Sequence, residues 1–238
     1  MTPDQVHQIL GLVATLPAFQ YAWEDRGQAP RGYAQGMALA YAQIYEKWKA
    51  GDKFALEMAK ANTHDAERDA LSYYAGIFAI MKMDNSRDGA DTLRHLWVLE
   101  IGLGMRESSG QYCCGRDRSA DNVTADTAEA GLFQQSWNSN AASPLMLELF
   151  KHPPDAGLTP YFRQGVSCSA ADWENYGAGL GEQFQFLAKT IPEFAAQFAA
   201  VGLRNIRTHW GPVNRYEAEV RHDVDALLQQ VQAIVDGG

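Results

Sequence analysis

The stretch "TLRHLWVLEIGLGMRE", residues 92–107, decides the fold, because its pattern predicts a long buried helix with a carboxyl group at its end. An α-helix advances about 100° per residue, so residues three and four apart share a face. Seven positions of this stretch fall on or near one face, and most are apolar, which predicts burial. They are Leu93, Leu96, Trp97, Glu100, Leu103, Gly104 and Glu107.

The last of these residues, Glu107, has the setting of a general acid. The carboxyl end of a helix is negative and burial disfavours a charge, so both raise the pKa of a carboxyl group there. A carboxyl group that keeps its proton near neutral pH can donate it to a leaving group. The alternative is that Glu107 is solvated or pairs with Arg106 or Arg116. Glu100 is either a structural acid, paired with His95 or an arginine, or a second catalytic carboxyl group.

A second segment, "EAGLFQQSW", residues 129–137, offers groups that could bind a ligand. Gly131, which lies 24 residues after Glu107, allows a backbone to approach a ligand closely. The Gln134 amide is both donor and acceptor, which suits hydroxyl and N-acetyl groups. This segment is weak evidence alone, and it gains weight from its position after Glu107.

Together the two segments resemble the lysozyme superfamily, over about residues 90–140. Arg-Glu-Ser-Ser-Gly at 106–110 is similar to the Glu-Ser motif of goose-type lysozymes and soluble lytic transglycosylases. Gly-Leu-Phe-Gln at 131–134 is similar to their Gly-Leu-Met-Gln, in the same order and at similar spacing. Their Tyr-Asn-Ala-Gly-like segment has a loose counterpart in "ENYGAG", residues 174–179, with the Tyr and Asn in swapped order.

The resemblance implies roles for individual residues. Glu107 would protonate the glycosidic oxygen, and Ser108 would form a hydrogen bond or cap near it. The substrate would be a β-1,4-linked amino-sugar polysaccharide or oligosaccharide, usually peptidoglycan and in some relatives chitin. The sugar groove would be lined by Gly131, Leu132, Phe133, Gln134 and, from the looser match, Tyr176.

A second carboxylate would decide between two reactions. An inverting hydrolase needs one to activate water, about 6.5–9.5 Å from the acid. Asp126 lies nearly where goose-type lysozymes carry an aspartate before the Gly-Leu-Met-Gln, and Asp121 and Asp117 rank after it, although each could be solvated surface. Ser136 stands where a second aspartate would follow, which slightly favours a lytic transglycosylase, whose single Glu acts as acid and then as base toward the sugar's own 6-hydroxyl.

Helical patterns dominate the rest of the chain and predict a mostly α fold. The resemblance makes this a lysozyme-like single domain with additional N-terminal helices: residues 1–87 as an N-terminal helical region or lobe, and residues 88–238 as the catalytic region. Asp91 is the expected N-cap of the helix that reaches Glu107, and residues 151–177 are predicted to be loop. The other predicted helices are residues 3–16, a helix after Pro30 that stops at Gly51, 52–62, 64–83, 143–150, 179–190, 192–203 and 215–235.

The net charge and the cysteine pattern limit the kinds of partner and metal site that the sequence favours. The net charge is −9 and no run of Lys or Arg occurs, so no nucleic acid or membrane insertion is expected, and no cofactor or metal pattern is present. The start of the chain lacks a basic n-region, so we expect no signal peptide and either a cytoplasmic protein or one exported by a non-classical route, as a toxin or phage-type lysin. A toxin would have an inhibitor or immunity protein as partner.

Cys168 could bridge Cys113 or Cys114, or all three could be free thiols.

Some features have both a functional and a structural interpretation. In "RNIRTHWGPVNR", residues 204–215, His209, Trp210 and Arg215 either border the groove or form a packed corner. The chain could also be a lysozyme-like protein that only binds glycan, or an all-helical protein that binds a partner. Six aromatic residues could stack on sugar or lie in the core: Tyr112, Trp137, Tyr161, Trp173, Tyr176 and Trp210.

Overall fold

The computed structural model describes residues 1–15, 19–116 and 124–237, and these are mostly helical, which confirms the mostly α prediction. One short antiparallel hairpin, β1 (Ala22–Trp23) and β2 (Gly27–Gln28), and two 3₁₀ helices, Trp137–Ala142 and Arg207–His209, accompany the α-helices. The α-helices are α1 (Pro3–Thr15), α2 (Arg31–Lys49), α3 (Lys53–Met58), α4 (Ala70–Tyr73), α5 (Ala75–Ile80), α6 (Ala90–Ser108), α7 (Pro144–Lys151), α8 (Thr159–Phe162), α9 (Ala170–Trp173), α10 (Leu180–Thr190), α11 (Pro192–Asn205), α12 (Gly211–Asn214) and α13 (His222–Asp236).

The centre of the fold is α6, which packs against α2, α11 and α13. Its residues 92–105 are all buried, as the apolar face of the sequence predicts. The Trp97 ring lies 5.8 Å from that of Tyr41 on α2, centroid to centroid. One hydrophobic core runs from Ile9 on α1 to Val235 on α13, so it includes residues on both sides of position 87.

The predicted helix at 64–83 is wrong, because this segment forms two short helices, α4 and α5. The Asp69 carboxylate accepts hydrogen bonds from the backbone N–H groups of Leu71 (3.1 Å) and Thr63 (2.9 Å). It also lies 3.3 Å from a guanidinium nitrogen of the buried Arg204. These contacts make Asp69 the N-cap of α4, so no helix extends back through the preceding turn.

Three other boundaries also differ from the prediction. Asp91 lies in the first turn of α6 and pairs with Arg94 at 2.6 Å, while Gly89 (φ 146°) is the N-cap residue. The last helix begins at His222, seven residues later than expected, and the segment 151–177 contains α8 and α9. Ser143, by contrast, does cap α7, with its hydroxyl accepting from the Leu145 N–H at 3.3 Å.

Two further features concern the cysteines and the hydropathy of the helices. Cys113 and Cys168 form a disulfide, one of the pairings that the sequence allows, and Cys114 keeps a free thiol. Among the helices of the described ranges, none is both long enough and apolar enough to cross a bilayer.

Candidate active site

The helix α6 ends one residue after Glu107, at Ser108, because the two residues that follow adopt left-handed backbone conformations. Ser109 has φ 54° and Gly110 has φ 74°, and the Gly110 N–H donates to the Gly104 carbonyl at 3.3 Å. A Cβ on Gly110 would lie 2.7 Å from Cγ of Tyr33, so only glycine fits this close approach. The carboxyl group of Glu107 is therefore held in the last turn of a buried helix.

Residues 130–135 form a tight turn, with backbone N–H groups donating from Ala130 to Gln135 (3.0 Å) and from Gln135 to Ala130 (3.3 Å). Gly131 (φ 77°) and Gln134 (φ 44°) both adopt left-handed backbone conformations. A Cβ on Gly131 would lie 2.5 Å from the carbonyl oxygen of Ala188, which explains the glycine. The turn is thus pressed against α10.

Three contacts bring this turn to the end of α6. A Cβ on Gly104 would lie 3.0 Å from Cε1 of Phe133, so the ring packs against the helix one turn before Glu107. The Gly131 N–H donates to the carbonyl of Cys114 at 2.8 Å, in the loop that follows Glu107. The indole N–H of Trp210 donates to the carbonyl of Phe133 at 2.9 Å. The 130–135 turn therefore packs against the end of α6 that carries Glu107, which brings together the two segments on which the resemblance rests.

The Glu107 carboxyl group is mostly buried, although part of the side chain still reaches solvent. Its pKa is raised from the ordinary value of 4.5 to about 8; burial is the largest cause, and the negative charges of Glu129 and Glu217 contribute to the increase. The positive charges of Arg26 and Arg215 act in the opposite direction. Glu107 consequently keeps its proton at neutral pH, as a general acid must.

The charges around Glu107 come from three distant parts of the chain. Arg26 lies in the turn of the β1–β2 hairpin, and Glu129 immediately precedes the 130–135 turn. Arg215 forms two hydrogen bonds to the Glu217 carboxylate, at 2.9 and 2.8 Å, and Arg106 donates to the same carboxylate at 3.2 Å. Reasoning from the sequence missed Arg26, Glu129 and Glu217, and the position of Glu129 beside the Gly-Leu-Phe-Gln motif was the available signal for one of them.

The predicted substrate-binding residues mostly face inward. Leu132 and Phe133 are fully buried, so neither residue offers a surface to a ligand in this structure. The Gln134 amide nitrogen donates to the Gly131 carbonyl at 3.1 Å and stabilises the turn itself. Ser108 is buried, and its hydroxyl donates to the Gly104 carbonyl at 3.0 Å, one turn back in α6.

Of the remaining predicted site residues, the structure describes Asp126 and Tyr176, whereas two aspartates fall outside the described ranges. Asp126 is exposed and is not among the charges that act most strongly on Glu107. Asp117 and Asp121 lie outside the described residues. The ring of Tyr176 is covered by the guanidinium of Arg116 at 4.2 Å from its centroid.

The remaining candidate residues differ in how far their side chains are buried. Glu100 is fully buried, burial raises its pKa, and His95 makes its hydrogen bond with Asn85 (2.7 Å) and not with Glu100. His209 is buried and its pKa is lowered to about 4 by that burial. Of the aromatic candidates, Tyr112, Trp137 and Trp210 are buried and Trp173 is exposed.

Within the described ranges, no three His, Cys, Asp or Glu residues are grouped as metal ligands would be. No protein-family model, no curated protein and no solved structure matches this chain. The interpretation of the site therefore depends on its own geometry and charges.

Proposed function

We propose that the chain is a lysozyme-like glycosidase that cleaves β-1,4-linked amino-sugar glycan, with peptidoglycan as its substrate. The observation that carries this proposal is the Glu107 carboxyl group, buried at the end of α6 beside the 130–135 turn, with a pKa raised to about 8. A carboxyl group that is protonated at neutral pH and still reaches solvent can donate its proton to a substrate.

In the cleavage step, Glu107 donates its proton to the glycosidic oxygen as the bond between that oxygen and the anomeric carbon breaks. The leaving sugar departs as a neutral alcohol, and positive charge develops on the other ring. The carboxylates of Glu129 and Glu217, whose charges act on Glu107, would also stabilise that positive charge. On the lytic transglycosylase route, the Glu107 carboxylate then accepts a proton from the sugar's own 6-hydroxyl group as that oxygen attacks the anomeric carbon.

Two exposed arginines favour peptidoglycan over chitin. Arg26 and Arg215 are exposed and act electrostatically on Glu107, although the chain as a whole carries a net charge of −9. Peptidoglycan carries carboxylates on its muramic acid residues and peptides, whereas chitin is neutral. Cations at the site would attract the charged polymer locally.

Glu129 is the second carboxyl group that the structure favours, in place of Asp126. It is the residue whose charge raises the Glu107 pKa most, whereas Asp126 is exposed to solvent. On the hydrolytic route Glu129 would activate water. Loss of hydrolysis in a Glu129→Gln variant, with Asp126→Asn active, would support this assignment, and the reverse result would restore Asp126.

The test of the proposal compares Glu107→Gln with Glu100→Gln. Both residues lie on α6, seven positions apart, both are buried, and both substitutions are isosteric. We expect purified peptidoglycan to be digested by the wild type and Glu100→Gln and not by Glu107→Gln, because only Glu107 lies at the site. Equal digestion by Glu107→Gln and the wild type would refute the proposal.

Mass spectrometry of the digest distinguishes the two reactions. Products with reducing ends mean that water attacked, and products with 1,6-anhydro ends mean that the sugar's own hydroxyl attacked. The role given to Glu129 predicts reducing ends.

A further inference from the structure

Two tyrosines form a stacked pair on the surface, beside an apolar recess. The rings of Tyr73 and Tyr216 are 4.4 Å apart, centroid to centroid, and 9° from parallel. Although one face of its ring is covered by Tyr73, Tyr216 remains 50% exposed. The recess has a volume of about 330 Å³, within the range of small-molecule sites. We call this surface the tyrosine shelf; it is lined by Tyr73, Gly76, Ile77, Ile80 and Tyr216.

The backbone of Tyr216 is held in an unfavourable conformation. Its φ is 58°, a left-handed value that bulky residues rarely adopt. The surrounding hydrogen bonds enforce it: the Tyr216 N–H donates to Val213 (3.1 Å), the Glu217 N–H donates to Pro212 (2.8 Å), and the Tyr216 hydroxyl donates to the Tyr73 carbonyl (3.4 Å). Such strain persists where the surrounding structure enforces it, and it occurs disproportionately at ligand sites.

The tyrosine shelf adjoins the candidate active site through the residues on either side of Tyr216. Arg215 and Glu217 are bonded to each other, and both act electrostatically on Glu107. Arg106, which precedes Glu107 in α6, donates to the Glu217 carboxylate at 3.2 Å. A polymer that lies across Glu107 toward Arg215 and Glu217 therefore reaches the two residues that flank Tyr216 in the chain.

We propose that the tyrosine shelf is a glycan-binding subsite, at which the exposed face of Tyr216 stacks on an N-acetylhexosamine ring of the chain that extends beyond Glu107. An aromatic face matches the C–H groups of a pyranose ring, and the recess beside Ile77 and Ile80 suits the methyl group of an N-acetyl substituent. The inference rests on the proposed function, because that function supplies the polymer. It adds a place where the polymer binds away from the cleavage point.

The test measures binding without cleavage. Calorimetric titration uses the β-1,4-linked N-acetylglucosamine hexamer, a neutral probe, and a Glu107→Gln parent that cannot cleave it. Adding Tyr216→Asn should weaken binding on the order of tenfold, because the ring is lost while Asn tolerates a left-handed backbone. Adding Tyr216→Phe, which keeps the ring, should leave affinity within about twofold.

A second variant and a control guard against misfolding. Ile80 is 80% exposed, so Ile80→Asp should not disturb the core, and it should weaken hexamer binding by placing a charge in the recess. Phe186 on α10 is 53% exposed and lies outside the tyrosine shelf, so Phe186→Ala should bind as the parent does.

The outcomes separate the two proposals. Unchanged hexamer affinity in both Tyr216→Asn and Ile80→Asp overturns the subsite, and it is also the result expected if the tyrosine shelf serves a protein partner. If that result comes with digestion of peptidoglycan by the wild type, the subsite fails and the enzyme stands. If binding depends on Tyr216 and the wild type digests nothing, the subsite stands and the proposed cleavage fails. A parent that does not bind the hexamer overturns the subsite.

Discussion

The Glu107 carboxyl group is governed by a balance of burial and nearby charge. Burial contributes most to its raised pKa, Glu129 adds to it, and Arg26 and Arg215 oppose it. Each of these charges can be removed by an isosteric or near-isosteric change at a residue outside the core. Substitutions of these neighbours can therefore be used both to lower and to raise the pKa of Glu107.

The pH profile is the first prediction at this scale. A general acid works only while protonated, so peptidoglycan cleavage should fall as pH rises through about 8, the pKa of Glu107. Measuring initial rates of digestion between about pH 3 and pH 10 locates this alkaline limb. A limb near the ordinary carboxyl value of 4.5 would show that Glu107 is not the acid.

Removing a neighbouring negative charge and removing a neighbouring positive charge should shift the alkaline limb of the pH–rate profile in opposite directions. Glu129→Gln removes a negative charge, so the limb of any residual activity should move to lower pH. Arg26→Gln removes a positive charge, so its limb should move to higher pH. Shifts of the same sign in both variants would contradict this account of the site.

The raised pKa of Glu107 should also be visible in the pH dependence of the free energy of unfolding. Between its ordinary value of 4.5 and about 8, the folded state keeps the Glu107 proton and the unfolded state has lost it. The folded state is therefore destabilised as pH rises across this window, and the loss levels off above it. The Glu107→Gln variant has no carboxyl group there and lacks this loss. Its free energy of unfolding in urea, compared with that of the wild type, should therefore increase by roughly 3–5 kcal/mol between pH 4 and pH 9. A constant difference across that range would contradict a raised pKa.

Sequence alone could predict Glu107, because the helical period, the helix end and the later Gly-Leu-Phe-Gln are all local patterns. It could not predict Arg26 or Glu217, which lie 81 and 110 residues away along the chain and reach the site only through folding. It also placed the Phe133 side chain in the groove, because a motif shows which residues recur and not which way they face.

At the scale of the element, the helices with a broad apolar face follow their sequence patterns, whereas the segment 64–83 does not. The predicted helix after Pro30 appears as α2, and that at 192–203 as α11, because each has a broad apolar face to bury. The helices α4 and α5 have four and six residues, and their division depends on side chains such as Asp69 and Arg204 that meet only in the fold.

Glycines within helices test the packing of these elements. Gly102 lies in α6, and a Cβ there would be 2.2 Å from the carbonyl oxygen of Glu219. Gly11 lies in α1, with nothing within 4 Å of such a Cβ. Gly102→Ala should therefore cost about 1–3 kcal/mol through overpacking. Gly11→Ala should gain about 0.5–1 kcal/mol by reducing the freedom of the unfolded chain.

Chemical denaturation of the two alanine variants checks this pair, since helix propensity alone predicts a gain for both. A stabilised Gly102→Ala variant would mean that α6 does not approach residue 219 as closely as described. The same variant should lose cleavage only in proportion to folding, because Gly102 lies more than one turn before Glu107.

At the scale of the whole molecule, the loop after Glu107 is tied to a remote segment. The disulfide joins Cys113 to Cys168, and the Gln111 amide donates to the Ser167 carbonyl at 3.2 Å. The buried Lys189 ammonium donates to the carbonyls of Asp172 and Glu174, at 2.9 Å each, and holds the end of α9. Because Cys114 also binds Gly131, this loop connects α6, the 130–135 turn and α9.

Removing the disulfide should therefore destabilise the molecule. The bond closes a loop of 55 residues, and the restriction it places on the unfolded chain is worth roughly 2–4 kcal/mol. A Cys113→Ala/Cys168→Ala double variant should lose about that much in urea unfolding, whereas Cys114→Ala, which keeps the bond, should stay close to wild type. Reductant should lower the stability of the wild type and Cys114→Ala and leave the double variant unchanged. If Cys114→Ala lost the larger amount and no longer responded to reductant, the bond would have to involve Cys114, and the loop beside Glu107 would be anchored through a different residue.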